Sequence, residues 1–161
     1  MDKLYSLAKS FKYALNGIRF CVRHEKNMRI HIVAALYVLY FSQFYNFTRA
    51  EYILLILTCV IVLSLEMLNT AIEVVIDKVS PEYSALAKVG KDVAAGAVFV
   101  SALAAVIIGV FLFWDIDTFR IIWEYFTGDI FNLAMLIGIS GCAFLFINSA
   151  KKRKIKGKIN K

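Results

Sequence analysis

The feature that most constrains this chain is an apolar run that turns acidic without breaking. Y-I-L-L-I-L-T-C-V-I-V-L-S-L, starting at Tyr52, reads as membrane sequence, and E-M-L-N-T-A-I-E-V-V-I-D follows directly from Glu66 to Asp77. At about 100° per residue, Glu66, Asn69, Thr70, Glu73 and Asp77 share a sector of about 100° on one helix face. Leu68, Ala71, Ile72, Val75 and Ile76 lie on the other side. Ionisable groups at membrane depth are expensive and mark function by default. Placing Asp77 and Glu73 among headgroups at the helix end would explain those two and leave Glu66 unexplained. A stripe of carboxylates and an amide is tolerable beside a cation, a proton or a polar ligand.

The rest of the chain agrees with a membrane setting. Of the 161 residues 60% are hydrophobic, against roughly 45–50% in a soluble domain. Residues 1–29 hold seven Lys/Arg and no continuous apolar core, so no cleavable signal peptide is expected. Cys21, Cys59 and Cys142 are far apart and fit neither a disulfide framework nor a metal pattern; they read as packing residues.

The net charge of +7 is a topology signal rather than a nucleic-acid footprint. Of nineteen Lys/Arg, seven lie in 1–29, three in 78–92 and seven in 151–161, which leaves only Arg49 and Arg120 elsewhere. With four spans, every basic segment falls on one side. The positive-inside rule puts both termini and the 78–92 connection in the cytoplasm, in a cell membrane crossed several times.

In chain order, residues 2–24 carry Leu4, Leu7, Phe11, Leu15, Ile18 and Val22 at helical spacing, with Lys3, Lys9, Lys12, Arg19 and Arg23 as the cationic part. The pattern predicts an amphipathic helix on the membrane surface. The polar junction H-E-K-N-M-R leads to a first span over 30–47, whose aromatics crowd its far end as an interfacial belt. T-R-A-E at Thr48–Glu51 is a capping box for a second span over 52–79, stopped by Ser80-Pro81. A polar connection follows, then a third span over 93–114. The latter opens on Ala94-Ala95-Gly96-Ala97, small residues suited to close helix approach. Residues 115–129 read as a polar, acidic connection and 130–150 as a fourth span, with Gly138 and Gly141 for close packing. The Lys-rich tail 151–161 suits anionic lipid. The expected class is all-α integral membrane, with a core over 1–114 and an appended fourth span and tail over 115–161.

Four polar groupings converge at one height: Glu25 at the base of the first span, Glu66 with Asn69 and Glu73 on the second, and Lys91-Asp92 on the third. Two carboxylates plus phosphate oxygens suit Mg²⁺. Lys91 suits a phosphate as a point charge. Glu66 is placed to meet a lipid hydroxyl as general base. A proton or cation pathway would also put carboxylates in a span. However, such sites tend toward the midplane, whereas this cluster lies near one face. No P-loop and no protein-kinase signature is present.

E-M-L-N-T-A-I-E-V-V-I-D-K-V-S-P-E-Y, followed by A-K-V-G-K-D-V-A-A-G-A-V, closely resembles the signature of the prokaryotic diacylglycerol kinase family. F-K-Y-A-L-N-G-I and H-E-K-N-M-R-I-H resemble its Gram-positive branch, whose members phosphorylate undecaprenol; the Gram-negative branch acts on diacylglycerol. The resemblance covers roughly residues 5–114. It implies a homotrimer of three-span subunits, each with a surface helix, and sites between subunits. It also implies transfer of the ATP γ-phosphoryl group to a lipid alcohol at the cytoplasmic face. Carried over by position, Glu66 is the general base and Asn69 its neighbour. Glu25 and Glu73 are the Mg²⁺ ligands, Lys91 and Asp92 the nucleotide pair, and Tyr13 and Glu82 further nucleotide contacts. Two departures stand out. Ser6 occupies a position where better-known members carry Arg, with Lys9 or Lys12 as substitutes. The added span over 115–161 is expected to be a peripheral packing helix.

Overall fold

The structure, a computed structural model, describes residues 2–80, 82 and 84–150, with side chains from residue 6 onward. The stop at Pro81, the tail 151–161, and the side chains of Lys3 and Leu4 lie outside the described residues. Six helices follow in order, with no strand among the described residues: α1 Asp2–His24, α2 Lys26–Phe41, α3 Arg49–Val79, α4 Ala85–Phe113, α5 Ile116–Thr127 and α6 Ile130–Asn148. Helices are the open-ended solution to satisfying a backbone in hydrocarbon. Of these, α3, α4 and α6 are each long and apolar enough to cross a membrane.

The α1–α2 junction does not run through as one helix. Glu25 has φ −104° and ψ 119°, so a single extended residue separates the two. Its amide still bonds to Cys21 O at 2.9 Å. The first span is shifted from 30–47: α2 starts at Lys26 and ends at Phe41, followed by a 3-10 turn over Ser42–Phe44. Sixteen α residues rise about 24 Å and the turn adds about 6 Å. Together they come to about 30 Å, but α2 is not among the helices long and apolar enough to cross a membrane, so the described residues hold three such helices where the sequence pattern leads one to expect four. Ser42 helps stop the helix by donating its hydroxyl to Leu39 O at 2.8 Å.

α3 begins at the expected capping box. Thr48 N donates to Glu51 Oε2 at 2.7 Å, and Glu51 N donates to Thr48 Oγ1 at 3.3 Å. α3 is the central helix. Its buried residues are Leu55, Val62, Glu66, Asn69 and Thr70, whereas Leu68, Ile72 and Val75 face outward. The stripe that carries the polar groups is therefore the one the fold buries. The most extensive packing in the molecule is between α3 and α4. Ser84 caps α4, which runs unbroken from Ala85 through the expected polar connection and third span.

The small-residue reading holds only in part. Ala94 is buried, but a Cβ at Gly96, Gly138 or Gly141 would meet nothing within 4 Å, so these glycines serve no close approach within the chain. The tight point is Gly90, where a Cβ would lie 3.1 Å from Ile76 Cδ1 across the α3–α4 contact.

Residues 115–129 are corrected from connection to helix. Asp115 caps α5 by accepting from Asp117 N at 3.3 Å and from the Thr118 hydroxyl. These hydrogen bonds hold its carboxyl below the usual range. Phe126 turns inward onto Phe41 and Phe44, each at 6.2 Å between ring centroids. The aromatics of 37–47 thus pack on one another, on Phe113 and on α5. Aromatic edge-to-face pairs favour this clustering. α6 packs along α2 and α5, and Tyr37 and Ser140 share a hydroxyl–hydroxyl bond of 2.8 Å. An apolar cavity of about 570 Å³ runs between them, lined by Ile32, Leu36, Tyr37, Met135, Ile139 and Phe146 among others.

Thr48→Ala removes the acceptor for Glu51 N. It is expected to cost about 1 kcal/mol, read as a lower thermal midpoint in detergent and faster amide exchange at residues 49–51.

Candidate active site

Glu66 sits in the C-terminal half of α3, about 10 Å along the axis from Glu73 and about 16 Å from Asp77 by helical rise. It is only 2% exposed. The Thr70 hydroxyl returns to Glu66 O at 3.0 Å, closing the local backbone. The Glu66 side chain is less well served, because Oε2 is buried and meets no hydrogen-bond donor among the described residues. Leaving a buried polar atom unpaired costs about 1–3 kcal/mol, and more when it is charged. A fold that keeps such an atom on its central helix has a use for it.

The neighbours of Glu66 are polar and acidic. Glu25 and Glu73 both lie within electrostatic range of it. Glu25 arrives from the α1–α2 break, where it holds the N-cap position of α2 without a capping bond from its side chain. Asn69 donates Nδ2 to Glu73 Oε1 at 3.3 Å, and its Oδ1 is buried without a partner. The site therefore offers two unpartnered buried oxygens, Glu66 Oε2 and Asn69 Oδ1, flanked by two further carboxylates. All are hard oxygen donors, suited to a hard divalent cation. Among the described residues no three His, Cys, Asp or Glu side chains converge as a metal cage. This suits an ion that takes one or two carboxylates and completes its shell with water and phosphate. On these grounds the residues fit Mg²⁺ arriving with a nucleotide.

Lys91 and Asp92 stand in different settings. The Lys91 ammonium binds the Asp77 carboxylate across the α3–α4 contact, while Asp92 is exposed. Asp77 belongs to the polar stripe, and its role as the partner of Lys91 was not anticipated from sequence. Tyr13 is 59% exposed on α1, with the Lys9 ammonium 5.9 Å from its ring centre. Ser6 is exposed on the same helix. Glu82 is exposed in the α3–α4 link. No hydrogen bond or ion pair among the described residues joins Tyr13, Glu82 or Asp92 to the Glu66 cluster. One chain thus brings together Glu25, Glu66, Asn69 and Glu73, places Lys91 on Asp77 nearby in α3, and leaves Tyr13, Glu82 and Asp92 apart.

A sequence profile of the prokaryotic diacylglycerol kinase family matches residues 12–113. The chain belongs to the prokaryotic diacylglycerol kinase family. That range takes in the α1–α2 break, the α3 stripe and all of α4, so the whole cluster falls within the match. Among individual relatives, the chain is 40% identical over 105 residues to a diacylglycerol kinase of Synechocystis, 65% of this chain and 60% of that protein. It is 38% identical over 112 residues to an undecaprenol kinase of Bacillus subtilis, 70% of this chain and 91% of that protein. A diacylglycerol kinase of Escherichia coli K12 is 31% identical over 109 residues, 68% of this chain and 89% of that protein. The chain thus spans under two thirds of the Synechocystis relative and nearly all of the other two. Family and relatives alike are, by name, kinases of diacylglycerol or undecaprenol.

Asp77→Asn removes the ion pair of Lys91. The expected result is faster acylation of Lys91 by an amine-directed reagent, with a nearly unchanged thermal midpoint, because a partly exposed pair contributes roughly 0–1 kcal/mol.

Proposed function

We propose that this chain is an ATP-dependent lipid kinase that phosphorylates undecaprenol at the cytoplasmic face of the cell membrane. The observation that carries the reading is the buried, unpartnered Glu66 Oε2 with Glu25 and Glu73 in range. Family membership names the class of reaction such a site serves.

The roles follow from position. Glu66 accepts the proton of the lipid hydroxyl as the oxygen attacks the γ-phosphorus, the bond from that phosphorus to the β–γ bridging oxygen breaks and ADP leaves. An acceptor buried among apolar helices and lacking a hydrogen-bond donor is available for that proton. Asn69 holds Glu73 through Nδ2 and turns its free Oδ1 toward the same space. Glu25 and Glu73 would hold Mg²⁺, which supplies charge neutralisation on the β- and γ-phosphates when bound. Lys91, oriented by Asp77, is a point charge for phosphate, with Asp92, Tyr13 and Glu82 completing nucleotide contacts. The family resemblance implies a site built between subunits, to which these last three would contribute. A homotrimer is the assembly that would close it. The basic segments put both termini and the α3–α4 link in the cytoplasm, where ATP is available. In this arrangement residues 1–114 are the catalytic core and 115–161 an appendage.

Diacylglycerol is the second candidate for the acceptor, favoured by the Synechocystis relative at 40% identity. Undecaprenol is favoured by the Bacillus relative at 38% together with its 91% coverage, and by the Gram-positive character of the junction. The two acceptors present the same reacting group, a primary hydroxyl at the end of an apolar body.

The test is transfer from γ-labelled ATP by the full chain in mixed micelles, with each lipid offered separately, with and without Mg²⁺. Label is expected in undecaprenyl phosphate, only with Mg²⁺. Label mainly in phosphatidate would move the assignment to diacylglycerol. No label from a folded oligomer would overturn the kinase reading and return a cation or proton pathway to first place. Glu66→Gln is expected to retain oligomer and nucleotide binding and to lose at least about a hundredfold in turnover, the lower range for a general base. Glu73→Gln is expected to raise the Mg²⁺ concentration needed for half-maximal nucleotide binding; an unchanged requirement would remove Glu73 from the metal.

A further inference from the structure

Arg29 is a cation buried to 6% exposure near the start of α2, with no carboxylate in any ion pair found among the described residues. Its acceptors are instead backbone carbonyls and one hydroxyl. Nε donates to Val22 O at 2.6 Å and Nη2 to Arg23 O at 3.4 Å. Nη1 donates to Ser149 Oγ at 2.6 Å and also to Phe146 O. The guanidinium carbon lies 4.7 Å from the centre of the Phe146 ring. Ser149 donates its own hydroxyl to Phe146 O at 3.0 Å, closing the set.

Val22 and Arg23 are in the last turn of α1, and Phe146 is in the last turn of α6. The last four carbonyls of a helix have no partner within it, and the C-terminal end carries partial negative charge. One guanidinium fork therefore serves two helix ends at once, a task that the planar donor geometry of Arg suits. Between Arg23 and Arg29 lies Glu25, the single extended residue whose side chain makes no capping bond to α2. Besides the bond of its own amide to Cys21 O, the break at Glu25 is held on its flanks by the Arg29 fork, which also ties them to the end of α6. Phe146 and Ser149 lie beyond residues 12–113, the part matched by the family profile.

We propose that the appended helix α6 positions Glu25 through Arg29: its C-terminus acts as a latch on the α1–α2 junction, with Arg29 as a positioning residue for Mg²⁺-nucleotide binding. This rests on the assignment of Glu25 to the nucleotide-bound metal. It gives the added span a task that peripheral packing does not include. Without the latch, a buried cation loses two acceptors and a ring, and the break at Glu25 loses a restraint.

The test uses full-length chain in mixed micelles, with Phe146→Leu combined with Ser149→Ala. Both substitutions lie on α6, far in sequence from the site. Amide hydrogen exchange is read first, without nucleotide or lipid. Exchange over residues 22–29 is expected to accelerate, while α3 and α4 keep their protection. Steady-state kinetics then read the site. KM for Mg-ATP is expected to rise roughly threefold or more, the low side of effects for groups supporting metal ligands, with KM for the lipid nearly unchanged. Arg29→Lys, which keeps the charge but not the fork, should behave the same way. Ser149→Ala alone, the mildest change, should shift both readouts in the same direction if the double variant does not fold. Unchanged protection over 22–29 would show that α6 restrains nothing there. Lost protection with unchanged KM for Mg-ATP would reduce the latch to a structural contact. Full function in Arg29→Lys would remove the fork from the argument. A wild-type chain that phosphorylates neither lipid fails the kinase reading itself and takes the nucleotide half of this proposal with it, while the exchange result still stands on its own.

Discussion

A carboxylate in a bilayer has to be enclosed, and the enclosure of Glu66 organises this molecule. α3 could have turned its uniformly apolar side inward and put its polar stripe toward lipid. That arrangement would set Glu66, Asn69 and Thr70 in hydrocarbon. Because lipid tails are as apolar as Leu side chains, burying Leu68 or Ile72 gains little inside a membrane. Burying the polar stripe avoids a far larger cost. Hence α3 buries Glu66, Asn69 and Thr70 and exposes Leu68, Ile72 and Val75, the reverse of a water-soluble helix. The α3–α4 contact and the approach of the α1–α2 junction follow from that choice.

Enclosure is not the same as satisfaction. A structural buried carboxylate normally ends with its oxygens paired. Here Thr70 spends its hydroxyl on the Glu66 carbonyl, Asn69 spends its amide on Glu73, and Lys91 spends its charge on Asp77. Each nearby donor is committed elsewhere, so Glu66 keeps an open oxygen. The commitments also keep the cation on Asp77, away from Glu66. In the proposed reaction this separation leaves Glu66 without a competing Lys.

How much of this could be read in advance depends on whether the information is periodic. The α3 stripe, its capping box and the spans of α4 and α6 are properties of one helix at a time, and helical spacing displays them directly. α5 was also legible in principle: Asp115 at the cap and Phe119, Ile122 and Phe126 at helical spacing are all present. Four acidic residues in the same stretch also suit a polar connection between spans, and they mask the helical spacing. Glycines misled for a different reason. Gly138 and Gly141 permit close approach without requiring it, whereas Gly90, isolated among polar residues, lies where α3 and α4 are tightest. Which partner fills the space beside a small residue is not a property of the helix that carries it.

The contact of Arg29 with Phe146 and Ser149 is the extreme case, since it joins residues more than a hundred positions apart. In sequence Arg29 is one more cation in a basic N-terminal segment and counts only toward topology. Burial changes its meaning. An Arg near the membrane surface ordinarily snorkels to water, yet this one turns inward and spends its donors on two helix ends. That inward turn needs both ends to be present, because either one alone leaves part of the fork unpaired. α6 touches neither α3 nor α4 in any extensive way; it lies along α2 and α5. Among the described residues Arg29 of α2 bonds both to the end of α6 and to the last turn of α1 beside the Glu25 break, and the proposed influence on the site runs through it.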